Sequence, residues 1–241
     1  LKELEAFFHL ESLSNLRSES LKGKKVLITA GPTHEKIDPV RYIGNSSSGK
    51  MGFEIAAAFA RRGAEVTLVA GPVSLPTPEG NIRRIDVESA LEMHHAALKA
   101  FDDASIAVFT AAVADYRPSE SFSSKIKREK DEVPVIHLVK NPDIARDCGS
   151  RKTPRQFLVG FALETDHELE NAASKLERKN LDMVVLNSLR DPGAGFRTAT
   201  NKITLITEDA VVSFPLKSKK EVAEDIAEAV CAAICGKPAD N

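Results

Sequence analysis

Residues 30–52, AGPTHEKIDPVRYIGNSSSGKMG, hold the densest set of groups able to do chemistry. The apolar run KKVLITA (24–30) reads as a buried strand ending at Ala30. A Gly/Pro-containing excursion follows, and Gly44-Asn45-Ser46-Ser47-Ser48-Gly49 then opens a helix. At a helix start, unpaired N–H groups and the positive dipole end attract phosphate or carboxylate. The hydroxyls of Ser46, Ser47 and Ser48 add donors, Lys50 adds charge, and Gly49 and Gly52 let the backbone approach a ligand closely. Ser/Gly turns before helices often serve only as caps. Asp38, Arg41, Asn45 and Lys50 crowd the same stretch, which favours an anion site over a plain turn. Two sharper readings fail. GNSSSGKM (44–51) fits G-x-x-x-x-G-K, but Met51 stands where a phosphate loop needs Ser or Thr to hold Mg²⁺. The dinucleotide pattern G-x-G-x-x-G is missing as well, which sets aside an NAD-dependent dehydrogenase.

Three further segments offer complementary groups. In TAAVADYRPS (110–119), small residues at a strand's carboxyl end leave room for a ligand, and Asp115 and Tyr116 supply a carboxylate and an aromatic ring. SESFSSKIKREKDE (119–132) is mostly charged, so it is expected to be a mobile loop, either an active-site lid carrying Lys125 and Lys127 or a solvated surface loop. In KNPDI (140–144), Asn141 or Pro142 starts a short helix, a second anion-favouring terminus with Asp143 in its first turn. Lys175 and Lys179 lie four apart on one predicted helix and face the same way. Alone they would be a solvated face, but with Arg41 and Lys125 they could neutralise a triphosphate. Cys231 and Cys235 share an apolar helix without a nearby His, so they read as small core residues. His94-His95, His137 and His167 form no ligand cluster in the sequence.

The elements that must position these groups alternate between β and α. Strands are expected at 24–30, 64–71, 81–87, 105–114, 133–140, 156–164 and 182–187, with a hairpin at 201–209 and 210–217. Helices are expected at 51–63 with Gly63 as C-cap, at 89–101 with Ser89 as N-cap, and at 141–149, 166–180 and 219–235. Nearly all-apolar strands alternating with helices predict an α/β fold, a Rossmann-like open parallel sheet with helices on both faces plus an antiparallel hairpin extension. In such sheets ligands bind beyond the carboxyl ends of the strands. Residues 1–10 are helix-like, and the polar, Ser-rich 11–23 reads as a linker.

Composition narrows the classes. With 42% hydrophobic and 28% charged residues, the chain is a folded protein rather than a disordered one. Its 33 Lys plus Arg against 35 Asp plus Glu leave a net charge of −2, so nucleic acid is not an expected partner. No apolar run approaches the ~20 residues of a membrane span, so no membrane partner is expected either. The sparse cysteines, Cys148, Cys231 and Cys235, point to a reducing compartment, and the first residues lack the pattern of a secretory signal. A cytoplasmic location is expected.

The stretches ITAGPTHEKIDPVRYIGNSSSGKMG, TAAVADYRP, KIKRE, LVKNPDI, VGFALET and KLERKNLDMVVLN together resemble phosphopantothenoylcysteine synthetase, across residues 24 to 217. One departure is visible: many members of that family have Arg where this chain has Ser46. The resemblance implies CTP-dependent joining of 4'-phosphopantothenate and L-cysteine through an acyl-cytidylate, with Mg²⁺, and releasing pyrophosphate and CMP. It implies that Asn45 holds the intermediate with support from Arg41, and that Lys125 rides a lid onto the phosphates. Ala111, Ala112, Asp115, Pro142, Asp143, Ile144, Ala145, Phe161, Lys175 and Lys179 match nucleotide-binding positions. It also implies a homodimer, and a fusion in which 1–23 would be the tail of an N-terminal flavin-dependent decarboxylase domain and its linker, ahead of a synthetase domain at 24–241. The metal's ligands are not readable from the sequence. The same ligation with ATP, or a nucleotide-binding module without turnover, are the competing expectations.

Overall fold

A computed structural model describes residues 20–126, 135–164, 166–188 and 198–235. Its frame is an eight-stranded sheet. The strands are β1 (Lys25–Ala30), β4 (Glu65–Ala70), β5 (Ile82–Asp86), β6 (Ile106–Phe109), β9 (Phe157–Glu164), β10 (Met183–Ser188), β12 (Ile203–Ile206) and β13 (Val211–Ser213). They lie in the order β13-β12-β10-β9-β6-β1-β4-β5. Pairing is parallel from β5 through to β10 and antiparallel for β12 and β13. Among the described residues five helices complete the layers: α1 (Lys50–Arg61), α2 (Ala90–Phe101), α3 (Ile144–Arg151), α4 (Glu168–Arg178) and α5 (Lys219–Cys235).

Strand periodicity sets the layers, because alternate residues point to opposite faces. Val26, Ile28 and Ala30 of β1 pack with Phe53, Ile55 and Phe59 of α1 and with Val222, Ile226 and Val230 of α5. Leu27, on the other face, joins Met93 and Phe101 of α2, Ile144 and Cys148 of α3 and Ala172 of α4. Burial pushes the Cys148 thiol up to about 12, so it is an inert core residue at neutral pH. Ser89 caps α2 in a reciprocal capping box with Glu92, and buried Glu35 accepts from the Ala90 N–H. The antiparallel β12–β13 hairpin extends the sheet as the sequence predicts.

Among the described residues three two-stranded ribbons stand outside the sheet: β2 (His34–Lys36) with β3 (Tyr42–Gly44), β7 (Tyr116–Pro118) with β8 (Leu138–Lys140), and β11 (Thr200–Asn201) with β14 (Lys217–Ser218). The first lies within the Gly/Pro excursion, where no strands are evident in the sequence. The second corrects the strand expected at 133–140. Among the described residues of that stretch, 138–140 alone pairs, with β7, and Val135, Ile136 and Leu138 are exposed.

Other boundaries shift for local reasons. The strand expected to run to residue 114 leaves the sheet after Phe109; Thr110 then donates to Thr29 and Ala112 to Gly31, holding the segment beside the end of β1. Helix α3 starts at Ile144 rather than 141 or 142. Asn141 bonds outward to Ala114 and Asp115, and Asp143 is the N-cap, accepting from the Arg146 N–H. Arg62 is the C-cap of α1, with Gly63 following at φ +83°. Leu21, within the stretch read as a linker, is 1% exposed, and its N–H donates to Arg62. The helix-like 1–10 and residues 127–132 of the charged loop, Lys127 among them, lie outside the described residues.

Candidate functional site

Chain order reverses beside β1. The chain runs from β1 outward to β4 and β5, then returns to β6 on β1's other side. Loops on either side of such a switch point diverge and leave a crevice at the strands' carboxyl ends. Two cavities occupy that crevice. The first, about 150 Å³, is lined by Ser47–Gly52, Thr110–Ala112, Phe161–Leu163, Asn187, Asn201 and Lys219. The second, about 260 Å³, is lined chiefly by Ala111–Asp115, Asn141–Ala145, Gly160, Phe161, Lys175 and Lys179. They share Ala111, Ala112 and Phe161 as a common wall.

The structure therefore gathers the residues singled out in the sequence into two groups. Ser47, Ser48, Gly49 and Lys50 open the first cavity, while Asp115, Pro142, Asp143, Ile144, Ala145, Lys175 and Lys179 line the second. Arg41, Asn45, Ser46 and Lys125 line neither. Asn45 nevertheless marks the junction, because its Nδ2 donates to the carbonyls of Ala112 and Val113 at 3.1 Å. Gly49 adopts φ +74° as the cap of α1 and offers no side chain to its open N–H groups. Gly52 sits so close to the strand ends that a Cβ there would lie 2.4 Å from Thr110 Oγ1 and 2.5 Å from Ala30 Cβ. That contact seats the first turn of α1 against the sheet.

Lys175 of α4 and Lys179, the C-cap of that helix, enter the second cavity with protein partners already in place. Lys175 Nζ donates to the Phe161 carbonyl at 3.1 Å, and Lys179 Nζ lies 2.9 Å from an Asp143 carboxylate oxygen. Much of the Lys179 charge therefore meets Asp143, and less is free for a triphosphate than the spacing alone implies. His94 is likewise engaged, with Nε2 2.7 Å from Asp147 Oδ2, linking α2 to α3.

A latch at the crevice rim was not legible in the sequence. Buried Asp38 accepts from the Val40, Arg41 and Ile126 N–H groups and from Nε and Nη2 of Arg41. Arg41 Nη2 also reaches the Ile126 carbonyl, and Phe122 donates to Ile37. These bonds tie the charged loop to the turn between β2 and β3. The Arg41 guanidinium, with the three N–H groups, holds the Asp38 carboxyl well below the usual carboxylate range despite its burial. Exposed Lys125 is adjacent to this anchor.

Asn187, Asn201 and Lys219 were missed. Asn187 is a polar residue closing a buried strand at its carboxyl end, a recognisable signal for this fold class. Lys219 has no such mark among Lys217, Lys219 and Lys220; only the fold sends Lys217 to Asp225 and buries Lys219.

The DNA/pantothenate metabolism flavoprotein C-terminal domain profile matches residues 21–234. The chain belongs to this family. Among relatives, the coenzyme A biosynthesis bifunctional protein CoaBC of Vibrio cholerae is 48% identical over 227 residues, covering 94% of this chain and 56% of that protein. CoaBC of Haemophilus influenzae is 51% identical over 210 residues, covering 87% and 52%. A protein from an unknown prokaryotic organism, named cysteine/cysteine sulfinic acid decarboxylase, is 52% identical over 227 residues, covering 94% and 62%. The chain thus spans little more than half the length of these relatives. A solved C-terminal domain of CoaBC superposes with a TM-score of 0.77 at 39% identity, covering 91% of this chain and all of that one. A family structure from Streptococcus pneumoniae gives 0.75 at 25% identity, covering 88% and 100%. A Cab2 variant in complex with phosphopantothenate-cysteine shares the fold at 19% identity, with a TM-score of 0.72, covering 94% of each chain. No helix among the described residues is long and apolar enough to cross a membrane.

Proposed function

We propose that this domain is a phosphopantothenate–cysteine ligase of coenzyme A synthesis that activates its acid substrate with CTP. A carboxylate oxygen of 4'-phosphopantothenate attacks the α-phosphorus of CTP, the bond to the bridging oxygen breaks, and pyrophosphate leaves. The amine of L-cysteine then attacks the acyl carbon of the acyl-cytidylate. The C–O bond to the nucleotide breaks, CMP leaves, and the nitrogen gives up a proton. Both nucleophiles come from substrates, so the protein's work is placement and charge neutralisation.

The observation that carries this reading is the pair of cavities meeting at Ala111, Ala112 and Phe161, with Asn45 bonded to the wall between them. Such a pair suits two anionic substrates that react at their junction. In this reading Asn45 holds the acyl-cytidylate, Arg41 supports it, and Lys125 approaches the phosphates from the loop that Asp38 anchors. Pro142–Ala145 and the Lys175–Lys179 pair receive the nucleotide. The kinship with CoaBC proteins, named for coenzyme A biosynthesis, supports the same assignment.

Mg²⁺ fits as a companion of the nucleotide. Among the described residues no three His, Cys, Asp or Glu side chains group as a metal site, and Asp115 is the carboxylate of the second cavity not committed to a lysine. In this reading the phosphates carry the ion, and Asp115 is the side chain able to touch it. A homodimer is also part of the proposal. Exposed Val40, Tyr42, Tyr116, Phe122, Leu138 and Val139 lie on the neighbouring β2–β3 and β7–β8 ribbons and the loop beside them, an apolar surface suited to a second copy.

Pyrophosphate release from purified protein with phosphopantothenate and Mg²⁺, comparing CTP, ATP, GTP and UTP with and without cysteine, tests the reaction. Release with CTP is expected, with amide and CMP appearing only when cysteine is added. Release with ATP alone would move the nucleotide assignment. No release with any nucleotide would overturn the ligase reading in favour of a binding module.

A further inference from the structure

Asn141 joins two walls of the second cavity. Ala111–Asp115 forms one of them and Asn141–Ala145 the other. The Asn141 backbone N–H donates to the Asp115 carbonyl at 2.8 Å, and its Nδ2 donates to the Ala114 carbonyl at 2.8 Å. A side-chain amide has a donor end and an acceptor end, so this clasp holds only while Oδ1 faces away from Ala114. Arg117 keeps it there. Its Nη1 donates to Asn141 Oδ1 at 3.1 Å and to the Lys140 carbonyl at 2.6 Å. With a carbonyl on one side and a guanidinium on the other, a single orientation of the amide satisfies both. Pro142 follows and restricts residue 141 toward extended backbone, so the amide is carried on a stiff segment. Arg117 has no charge to balance. It sits half-buried on β7, in the wall of a separate cavity of about 250 Å³ that also contains Glu35, Glu88 and Glu92. All three are engaged elsewhere: Glu35 accepts from the Ala90 N–H, Glu88 pairs with Lys36 at 2.6 Å, and Glu92 caps α2. Among the described residues no carboxylate pairs with Arg117. A guanidinium bonded to a carbonyl and an amide oxygen serves orientation rather than charge neutralisation.

We propose that Arg117 is a positioning residue for the nucleotide: it fixes the Asn141 amide, and Asn141 in turn fixes the separation of the two walls that receive the ligand. The assignment rests on the ligase reading for the identity of that ligand. Arg117 acts from outside the cavity, one residue removed from its lining. The clasp supports the bound nucleotide equally before and during reaction, so its loss falls on affinity rather than on the chemical step.

Calorimetric titration with CTP, steady-state kinetics and thermal melts test the proposal on the parent, Arg117→Met, Arg117→Lys, Asn141→Ala and the double variant Arg117→Met/Asn141→Ala. Arg117→Met keeps an apolar stem and loses both bonds. It should weaken CTP roughly 10-fold in Kd and in KM, the range of a lost charge-assisted bond. Its kcat at saturating CTP and its KM for phosphopantothenate should stay within about twofold of the parent. Arg117→Lys should recover part of the affinity. Asn141→Ala should weaken CTP at least as much as Arg117→Met. The double variant should bind CTP within about twofold of Asn141→Ala, because Arg117 acts through Asn141. Losses that multiply in the double variant would overturn the proposal. So would unchanged CTP affinity in Arg117→Met, a fall in kcat at unchanged KM, or a lowered melting temperature with CTP affinity intact. Binding is read without turnover, so a parent that binds CTP but releases no pyrophosphate would sink the ligase reading and leave this assignment standing. A parent that binds no nucleotide would overturn both.

Discussion

On the proposed reaction three side chains at the rim divide the labour, and each can be removed separately. In Asn45→Asp the side chain loses the amide that donates to Ala112 and Val113 and gains a charge beside an anionic intermediate. Pyrophosphate release should persist while amide yield falls sharply; a normal yield would remove Asn45 from the second step. Lys125→Gln should abolish the first step, and unchanged pyrophosphate release would take Lys125 out of the mechanism. Asp38 is a positioning residue, because it holds Arg41 and Ile126 rather than substrate. Asp38→Asn should lower kcat/KM on the order of 10- to 100-fold, through misplacement alone. The Asp38 folded pKa lies below its ordinary 3.8, so the latch is intact at every pH above that value and weakens only as the pH falls below it. Loop protection by hydrogen exchange should therefore stay level from pH 8 down to pH 5 in the parent; a loss within that range would contradict the assignment.

At the scale of elements, α1 links packing to function. Its first turn approaches the ends of β1 and β6 as closely as it does only because residue 52 is glycine. Gly52→Ala must lift the helix off Ala30 and Thr110, at a cost of about 1–3 kcal/mol by analogy with overpacked cores. The same shift moves the N–H groups at the first cavity, so thermal stability and the kcat/KM of the proposed ligation should fall together. Loss of stability with unchanged kcat/KM would separate α1 from the site. At its far end, α1 is joined to α5 by Arg61 and Arg62, which share Glu224. Burial alone would raise the Glu224 pKa, yet the two guanidinium groups hold it below its usual value. The helices that open and close the first cavity are thus bound to each other.

For the whole molecule, the proposed homodimer has a direct measurement. The apolar ribbons should join two copies, and Tyr42→Asp combined with Leu138→Asp should shift the sedimenting species from dimer to monomer. A parent that sediments as a monomer would refute the dimer. The sequence by itself determined the parallel sheet and its helices, because buried strands and amphipathic helices write their periods into neighbouring residues. It also determined the Ser/Gly-rich start of α1 and the cap at Ser89, whose chemistry is local. The Asp38 latch, the ribbons and the burial of Lys219 were decided only by the tertiary structure. The latch joins residues 38 and 126 across 88 positions, and Lys50 meets Lys219 only once α1 and α5 lie side by side. No local period records such pairings; they follow from the order in which strands take their places in the sheet. That order, reversing beside β1, separated one string of candidate residues into two cavities with a shared wall.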